Sequence, residues 1–260
     1  MIRTLPPDVS RAATAEARKL TTLRWAWGLL PVCGLVGLLA TIVSVTIGHG
    51  PQANQNPATG TASLGLYVGI AVAALAALVS GAVAAAGEYR YDAISMTALF
   101  TPDRDLLFGA KMAVAAAYSL LLAAAAEVGA ALALVVAGRD KIEFGLRLVA
   151  VLGGGLLVAV CWGVIGASLG LLLRGTVAAL GAALGWLVII EPLVWLVAHG
   201  ADSHGLAVVF PGSATIATVA VGSFTTNRLF APSPAAAVVL LVWTAAAGAW
   251  AWWAVRQRDV

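Results

Sequence analysis

The sequence predicts an all-α integral membrane protein, and three observations lead to this fold class. Hydrophobic residues make up 61% of the 260 residues and charged residues only 10%, against roughly 45–50% and about 25% in a typical soluble domain. The apolar runs are about 20 residues or longer, which suits spanning helices, whereas barrel strands would be stretches of about ten residues with alternating polarity. Short polar segments separate the runs. We therefore expect a single transmembrane domain, residues 1–260.

Six spanning helices are predicted from the apolar runs. The third and fourth are longer than the roughly 20 residues that a bilayer requires, so we expect them to tilt or to extend beyond the lipid. The first run is also longer than the apolar region of a cleavable signal, which is about 7–15 residues, and is expected to remain as an anchor. The six predicted spans are residues 25–47, 64–86, 111–137, 146–173, 177–198 and 234–255.

The distribution of basic residues predicts the orientation. With the N-terminus in the cytoplasm, eleven Lys and Arg residues fall on inner segments and four on outer ones. Inner loops of membrane proteins carry such an excess of positive charge. Both termini and the loop at 87–110 are therefore predicted to be cytoplasmic, while segments 48–63 and 199–233 are predicted to face outside.

The N-terminal segment, residues 1–24, is predicted to be a basic amphipathic helix. An apolar stripe at helical spacing runs along it and into the first span, formed by Ala13, Ala17, Leu20, Leu23 and Trp27. A basic amphipathic helix that leads into a span tends to lie along the lipid interface. The alternative is a solvated basic leader, because the stripe is rich in alanine and weak.

The loop at 87–110 is predicted to dock a partner. It concentrates charge between two apolar runs, and charge is unfavourable in hydrocarbon, so the loop is expected in water. Its apolar residues recur at roughly helical spacing, which predicts a short amphipathic helix. These residues are Tyr91, Ile94, Ala98 and Phe100. The alternative is that this stripe rests on lipid headgroups.

The start of the helix that leads into the third span is predicted from a capping pattern. Thr101 is expected to cap the free amides of the helix, and Pro102 suits the first helical position. Asp103 would then complement the positive end of the helix dipole.

The segment at 199–233 is a poor candidate for a seventh span. Its apolar middle is interrupted by Pro211, Gly212 and Ser213. We therefore expect a short helix or a re-entrant hairpin that caps the outer rim.

Small residues in the fourth and fifth spans predict close helix packing. Membrane helices associate through such residues, because no hydrophobic drive exists between them in lipid. The pairs with GxxxG spacing are Gly166 with Gly170 and Gly181 with Gly185.

The sequence lacks the motifs of nucleotide, metal and hydrolase sites. It contains no GxxxxGK[ST] phosphate loop, no HExxH and no GxSxG, so no cofactor is expected in this chain. The basic residues lack aromatic interleaving, which argues against nucleic-acid binding. Cys33 and Cys161 lie in apolar runs without ligand spacing and are expected to be small core residues.

Two acids lie inside the predicted spans, Glu127 in the third and Glu191 in the fifth. An intramembrane carboxylate is by default a functional-site hypothesis, so each is a candidate for contacting a cationic substrate or carrying a proton. The alternative for Glu127 is a protonated or hydrogen-bonded group between helices. For Glu191 it is contact with water near the outer surface, beside a kink at Pro192.

Three segments resemble the permease subunits of ABC-2 class ATP-binding-cassette exporters. They are AEARKLTTLRWAW before the first span, GEYRYDAISMTALFTPDRDLLFGAK after the second and VIIEPL in the fifth. The similarity extends over essentially the whole chain, and the GEYR…TP…K pattern is its most specific part. The outer loop at 139–147 is short and charged, and the large extracellular domain of some lipid exporters is missing, which argues against a polysaccharide-specific subtype.

The resemblance implies a bacterial plasma-membrane permease without its own ATPase activity. Two copies of a separate cytoplasmic ATPase would supply ATP and Mg²⁺ chemistry, and two permeases, identical or paralogous, would form a twelve-helix pore. Segment 1–24 would be an interfacial connecting helix and segment 199–233 an extracellular cap. The ATPase contact would be made by Glu88, Tyr91, Ile94, Ala98 and Phe100.

The sequence leaves three classes of function open. The leading one is export of a small hydrophobic or amphipathic substrate, such as a drug, antibiotic, peptide or lipid. The second is an intramembrane enzyme that uses Glu127 and Glu191, although neither has a paired catalytic motif nearby. The third is a membrane anchor or immunity protein that binds a toxin without pumping.

Overall fold

Every regular element that the structure describes is helical. The computed structural model describes residues 6–47, 63–90, 103–137, 145–200, 205–221, 223 and 230–257. In chain order the helices are α1 (Pro7–Thr22), α2 (Arg24–Ile47), α3 (Leu64–Arg90), α4 (Arg104–Ala137), α5 (Leu146–Leu173), α6 (Thr176–Gly185), α7 (Glu191–Gly200), α8 (Gly205–Val208), α9 (Pro211–Val219) and α10 (Ser233–Gln257).

Within the described residues, six helical stretches are long and apolar enough to cross a membrane, which confirms the predicted all-α class and agrees with the six predicted spans. Five are the single helices α2, α3, α4, α5 and α10. The sixth, Thr176–Ala198, combines α6, a five-residue π-helical turn at Trp186–Ile190 and most of α7. The chain therefore has the architecture of a multi-pass membrane protein.

Helix α4 begins two residues later than the capping prediction requires. Its first residue is Arg104, and the Asp103 carboxylate accepts hydrogen bonds from the backbone N–H groups of Asp105 (2.9 Å) and Leu106 (3.2 Å). Asp103 is thus the N-cap, so the assignment of that role to Thr101 was wrong. An aspartate carboxylate is at least as good a cap as a threonine hydroxyl, and its charge also favours the helix N-terminus.

The bundle is held together by backbone contacts at glycines. Helix α2 approaches α4 so closely that a Cβ atom at Gly37 would lie 2.1 Å from the carbonyl oxygen of Ala126. Helix α3 approaches α5 in the same way, with a Cβ atom at Gly81 only 2.2 Å from the Gly163 oxygen. A larger residue at these positions would separate the helices, so the small residues set the spacing of α2, α3, α4 and α5.

Candidate functional site

Four charged side chains from three helices meet at one end of the bundle. Glu16 and Lys19 come from α1, Glu88 from the last turns of α3, and Lys111 from the early part of α4. The Lys111 ammonium group donates to Glu16 Oε2 (2.8 Å) and to Glu88 Oε1 (2.9 Å). The Lys19 ammonium group donates to Glu16 Oε1 (2.5 Å) and to the same Glu88 oxygen (2.6 Å). We call these four residues the charge cluster.

The charge cluster is neutral in sum and largely removed from water. The side chains of Lys111, Glu16 and Glu88 are 5%, 8% and 9% exposed, and only Lys19 reaches the surface, at 40%. Burial lowers the pKa of Lys19, but its bonds to Glu16 and Glu88 outweigh this effect and leave the pKa above its usual value. Opposite charges therefore compensate one another at a place where a single charge would be costly.

The charge cluster anchors α1 to the helix ends on either side of segment 91–102. Helix α3 ends at Arg90 and α4 begins at Arg104, so Glu88 and Lys111 lie near the two points where that segment joins the bundle. A second ion pair, between Arg256 of α10 and Asp105 of α4, lies at the same end of α4. The Arg104 guanidinium group also donates to the Val255 carbonyl oxygen at 3.1 Å. This end of α4 is therefore bound to α1, α3 and α10.

Of the five residues predicted to contact an ATPase, one lies in the described part of the chain. Glu88 is that residue, and its carboxylate belongs to the charge cluster. The other four, Tyr91, Ile94, Ala98 and Phe100, lie outside the described residues.

Three members of the charge cluster, Glu16, Lys19 and Lys111, were not predicted as site residues. The buried residues of α1 are Ala12, Glu16 and Leu20, whereas Leu23 and Trp27, two members of the predicted apolar stripe, are exposed. Leu20, a third member of the stripe that was predicted to lie along the lipid interface, is buried. The available signal was the i, i+3 spacing of Glu16 and Lys19, together with a lysine at the start of a spanning helix.

Glu127 lies in the middle of α4 and is buried against α3 and α5. A Cβ atom built on Gly155 would lie 2.4 Å from Glu127 Oε1 and 2.7 Å from the Ile70 side chain. Glu127 Oε1 is buried and has no hydrogen-bond partner among the described residues. The Gly155 backbone and the apolar Ile70 side chain lie close to Oε1. The predicted interhelical hydrogen bond is therefore absent at Oε1 among the described residues.

Both carboxylate oxygens of Glu191 accept hydrogen bonds within the protein. Its Oε1 atom accepts from Gly212 N (2.8 Å) and Trp186 Nε1 (3.1 Å), and its Oε2 atom accepts from Ser213 N (3.1 Å). Those two backbone amides belong to the first turn of α9, so the carboxylate satisfies N–H groups that a helix start leaves free. The alternative that Glu191 reaches water is wrong, because the residue is 1% exposed.

The four glycines with GxxxG spacing fall into two different surroundings. A Cβ atom at Gly166 would lie 2.2 Å from the Leu78 oxygen, and one at Gly170 would lie 2.8 Å from the Ala82 oxygen, so both lie at the α3–α5 contact. The same addition at Gly181 or Gly185 meets nothing within 4 Å. These two positions of α6 are open in the single chain.

The charge cluster joins α1, α3 and α4. The described residues contain no group of three or more acidic, histidine or cysteine side chains placed to hold a metal ion. Cys33 and Cys161 are buried and free. The fold defines the chain as a helical, multi-pass membrane protein. Comparison of the sequence with protein-family models found none that matches, and comparison with curated proteins found no match either.

Proposed function

We propose that the chain is the membrane permease subunit of an ABC-2 class exporter, which moves a small hydrophobic or amphipathic substrate out of a bacterial cell. A separate ATPase subunit, present in two copies with ATP and Mg²⁺, drives transport, and a second permease, identical or paralogous, completes the pore. The observation that carries this proposal is the charge cluster. It connects α1 to the two spans that enclose segment 91–102, the segment in which the sequence predicts an ATPase-docking helix.

The charge cluster gives such a segment a rigid base. An ATPase that moved an isolated loop would not move the spans. An ATPase that moves the segment between α3 and α4 acts on two spans, and both of them contact α1. Glu88 then links the docking segment to the bundle. It lies just before that segment in the chain, and its carboxylate binds Lys19 and Lys111. In this proposal both termini and segment 87–110 are cytoplasmic, α1 lies at the interface, and α8 and α9 belong to an extracellular cap.

The positions of several basic residues agree with this orientation. Residues that the positive-inside prediction assigns to the cytoplasm include Lys19, Lys111, Arg104 and Arg256, and each contacts the same end of the bundle. A common cytoplasmic end explains why these basic residues, distant in sequence, lie near one another.

The test is recovery of an ATPase with the tagged chain, purified in mild detergent from its native membrane. We expect an ABC ATPase subunit, identified by peptides that contain its phosphate loop, and Mg²⁺-dependent ATP hydrolysis in the eluate. Ile94→Asp should reduce recovery about fivefold or more, because a lost interface anchor typically costs ~1–4 kcal/mol. Met96→Asp, two residues away and hence on another face of a helix, is the matched control and should retain the ATPase.

Two results would contradict the proposal. One is the absence of an ABC ATPase from the wild-type eluate, which would favour the anchor or immunity class. The other is equal ATPase recovery with Ile94→Asp and Met96→Asp, which would remove segment 91–100 from the interface and leave its apolar stripe to the lipid.

A further inference from the structure

Four tryptophans line a cavity of about 300 Å³ whose walls come from α5, α6, the π-helical turn, α9 and α10. Helix α5 contributes Trp162, the π-helical turn contributes Trp186, and α10 contributes Trp243 and Trp250. Pro211, the first residue of α9, closes one side. Trp250 is 65% exposed, so it forms a rim at which the cavity meets the outer surface of the bundle.

Three of the four indole N–H groups of this cavity have partners within the protein. Trp162 Nε1 donates to Thr215 Oγ1 (2.9 Å), Trp186 Nε1 to Glu191 Oε1 (3.1 Å) and Trp243 Nε1 to the Val209 carbonyl oxygen (2.8 Å). These three side chains therefore offer ring surface rather than hydrogen-bond donors. None of the described residues that line the cavity is charged.

Glu191 holds two walls of the cavity in place. The same carboxylate accepts from the Trp186 indole and from the first amides of α9, directly after Pro211. The Trp186 ring in turn contacts the ring of Trp243, with centroids 5.8 Å apart. Three walls that come from separate segments of the chain are thus fixed by one buried side chain and one ring contact.

We infer that this cavity binds an uncharged apolar ligand, an aromatic ring system or a segment of acyl chain, and that Glu191 is its positioning residue. A dry apolar cavity of about 150 Å³ accommodates benzene, so a space of about 300 Å³ has room for a fused-ring compound. Ring faces and alkyl groups recognise such a ligand by area and shape, because no lining residue is charged and three of the four indole N–H groups are engaged within the protein. The inference does not depend on the proposed ATPase partner.

Binding is measured with the purified chain in lipid nanodiscs, without any ATPase, using the neutral fluorescent probe N-phenyl-1-naphthylamine. We expect saturable energy transfer from tryptophan to the probe. Ala246→Phe places a ring in the cavity from an exposed lining position of α10 and should weaken binding by about tenfold or more. Ala245→Phe, an exposed neighbour that does not line the cavity, is the matched control and should bind like wild type.

A second arm distinguishes a free compound from a lipid chain. Nanodiscs made with phosphatidylcholine brominated on its acyl chains quench tryptophan fluorescence on contact. If an acyl chain occupies the cavity, quenching should fall in Ala246→Phe and not in Ala245→Phe, and the neutral probe should compete with it. Equal probe binding and equal quenching in the two variants would overturn the inference. Equal affinity for a permanently cationic naphthalene analogue would overturn the uncharged class, because ring faces also attract cations.

The role of Glu191 is tested by two substitutions. Glu191→Gln keeps an acceptor for Trp186 and Gly212, whereas Glu191→Ala removes all three hydrogen bonds. We expect probe binding to be largely retained with Gln and lost with Ala, in protein of normal yield. Wild-type binding by Glu191→Ala would show that the carboxylate does not position the cavity walls. Loss of binding with Gln as well as with Ala would show that the negative charge is required and that the acceptor kept by Gln is not sufficient.

Discussion

Replacement of Lys111 by methionine removes the central cation of the charge cluster. In the wild type, Lys111 binds Glu16 at 2.8 Å and Glu88 at 2.9 Å, and all three side chains are at least nine-tenths buried. After Lys111→Met, two buried carboxylates share one ammonium group, that of Lys19, which is 40% exposed. The formal charge of the cluster changes from zero to minus one at a place with little access to water.

This imbalance should be costly. Breaking a buried ion pair by removing one partner typically destabilises a protein by about 3–5 kcal/mol, because the other charge remains buried and uncompensated. Methionine retains an unbranched apolar chain of similar length, so loss of packing should contribute little. The matched control is Arg256→Met, which removes the exposed ion pair with Asp105. Exposed pairs contribute little, and we expect the control to unfold close to wild type.

The assay is unfolding of the detergent-solubilised chain by increasing fractions of sodium dodecyl sulfate, followed by tryptophan fluorescence. Lys111→Met should shift the midpoint strongly and Arg256→Met only slightly. Adding Glu88→Gln to Lys111→Met restores the balance between Glu16 and Lys19, so the double variant should recover part of the lost free energy of unfolding. The reasoning is refuted if Lys111→Met costs no more than Arg256→Met, or if the double variant loses at least the sum of the two single changes.

Three further outcomes are expected. In a chain without its two native cysteines, an impermeant thiol reagent applied to intact cells should label Ser203→Cys and not Ser95→Cys; the reverse pattern would invert the orientation. Glu127→Leu should leave the thermal midpoint in detergent unchanged or raised, because it removes a buried oxygen whose missing partner costs about 1–3 kcal/mol; a lowered midpoint would mean that the carboxylate stabilises the bundle. Gly166→Ala should lower that midpoint by the equivalent of about 1–3 kcal/mol, because its Cβ atom would lie 2.2 Å from a carbonyl oxygen, whereas Gly181→Ala should be neutral; equal effects would contradict the packing argument.

Hydropathy made the spans predictable. Apolar length alone located all six, and the fourth matches its predicted bounds of 146–173. The largest discrepancy is at the third span, predicted to begin at residue 111, where α4 extends back to Arg104. The capping pattern at 101–103 had predicted a helix start ahead of this span, within two residues of the observed one. The helix itself continues, since Asp103 caps it and Lys111 is neutralised by two carboxylates.

The charge cluster was harder to predict for a related reason. Glu16, Glu88 and Lys111 are far apart in sequence, and each alone reads as a solvated charge at the end of an apolar run. Only the packing of α1 and α3 against α4 brings them together. Local periodicity describes one helix at a time, so it found an apolar stripe on α1 and missed Glu16, which is buried with a partner, Lys111, from another helix.

The two intramembrane acids show why a rule based on residue type is incomplete. Sequence reasoning gave Glu127 and Glu191 the same status, because both are carboxylates inside apolar runs. Their surroundings differ in kind. Glu191 receives two backbone amides and an indole N–H group, so its presence is explained by the orphan donors at the start of a helix that lies about twenty residues further along the chain. Glu127 Oε1 has no hydrogen-bond partner among the described residues, so no backbone donor of this kind explains its presence. The difference arises because the first turn of α9 packs against Glu191 at the start of α7. No local sequence pattern around either glutamate predicts that contact.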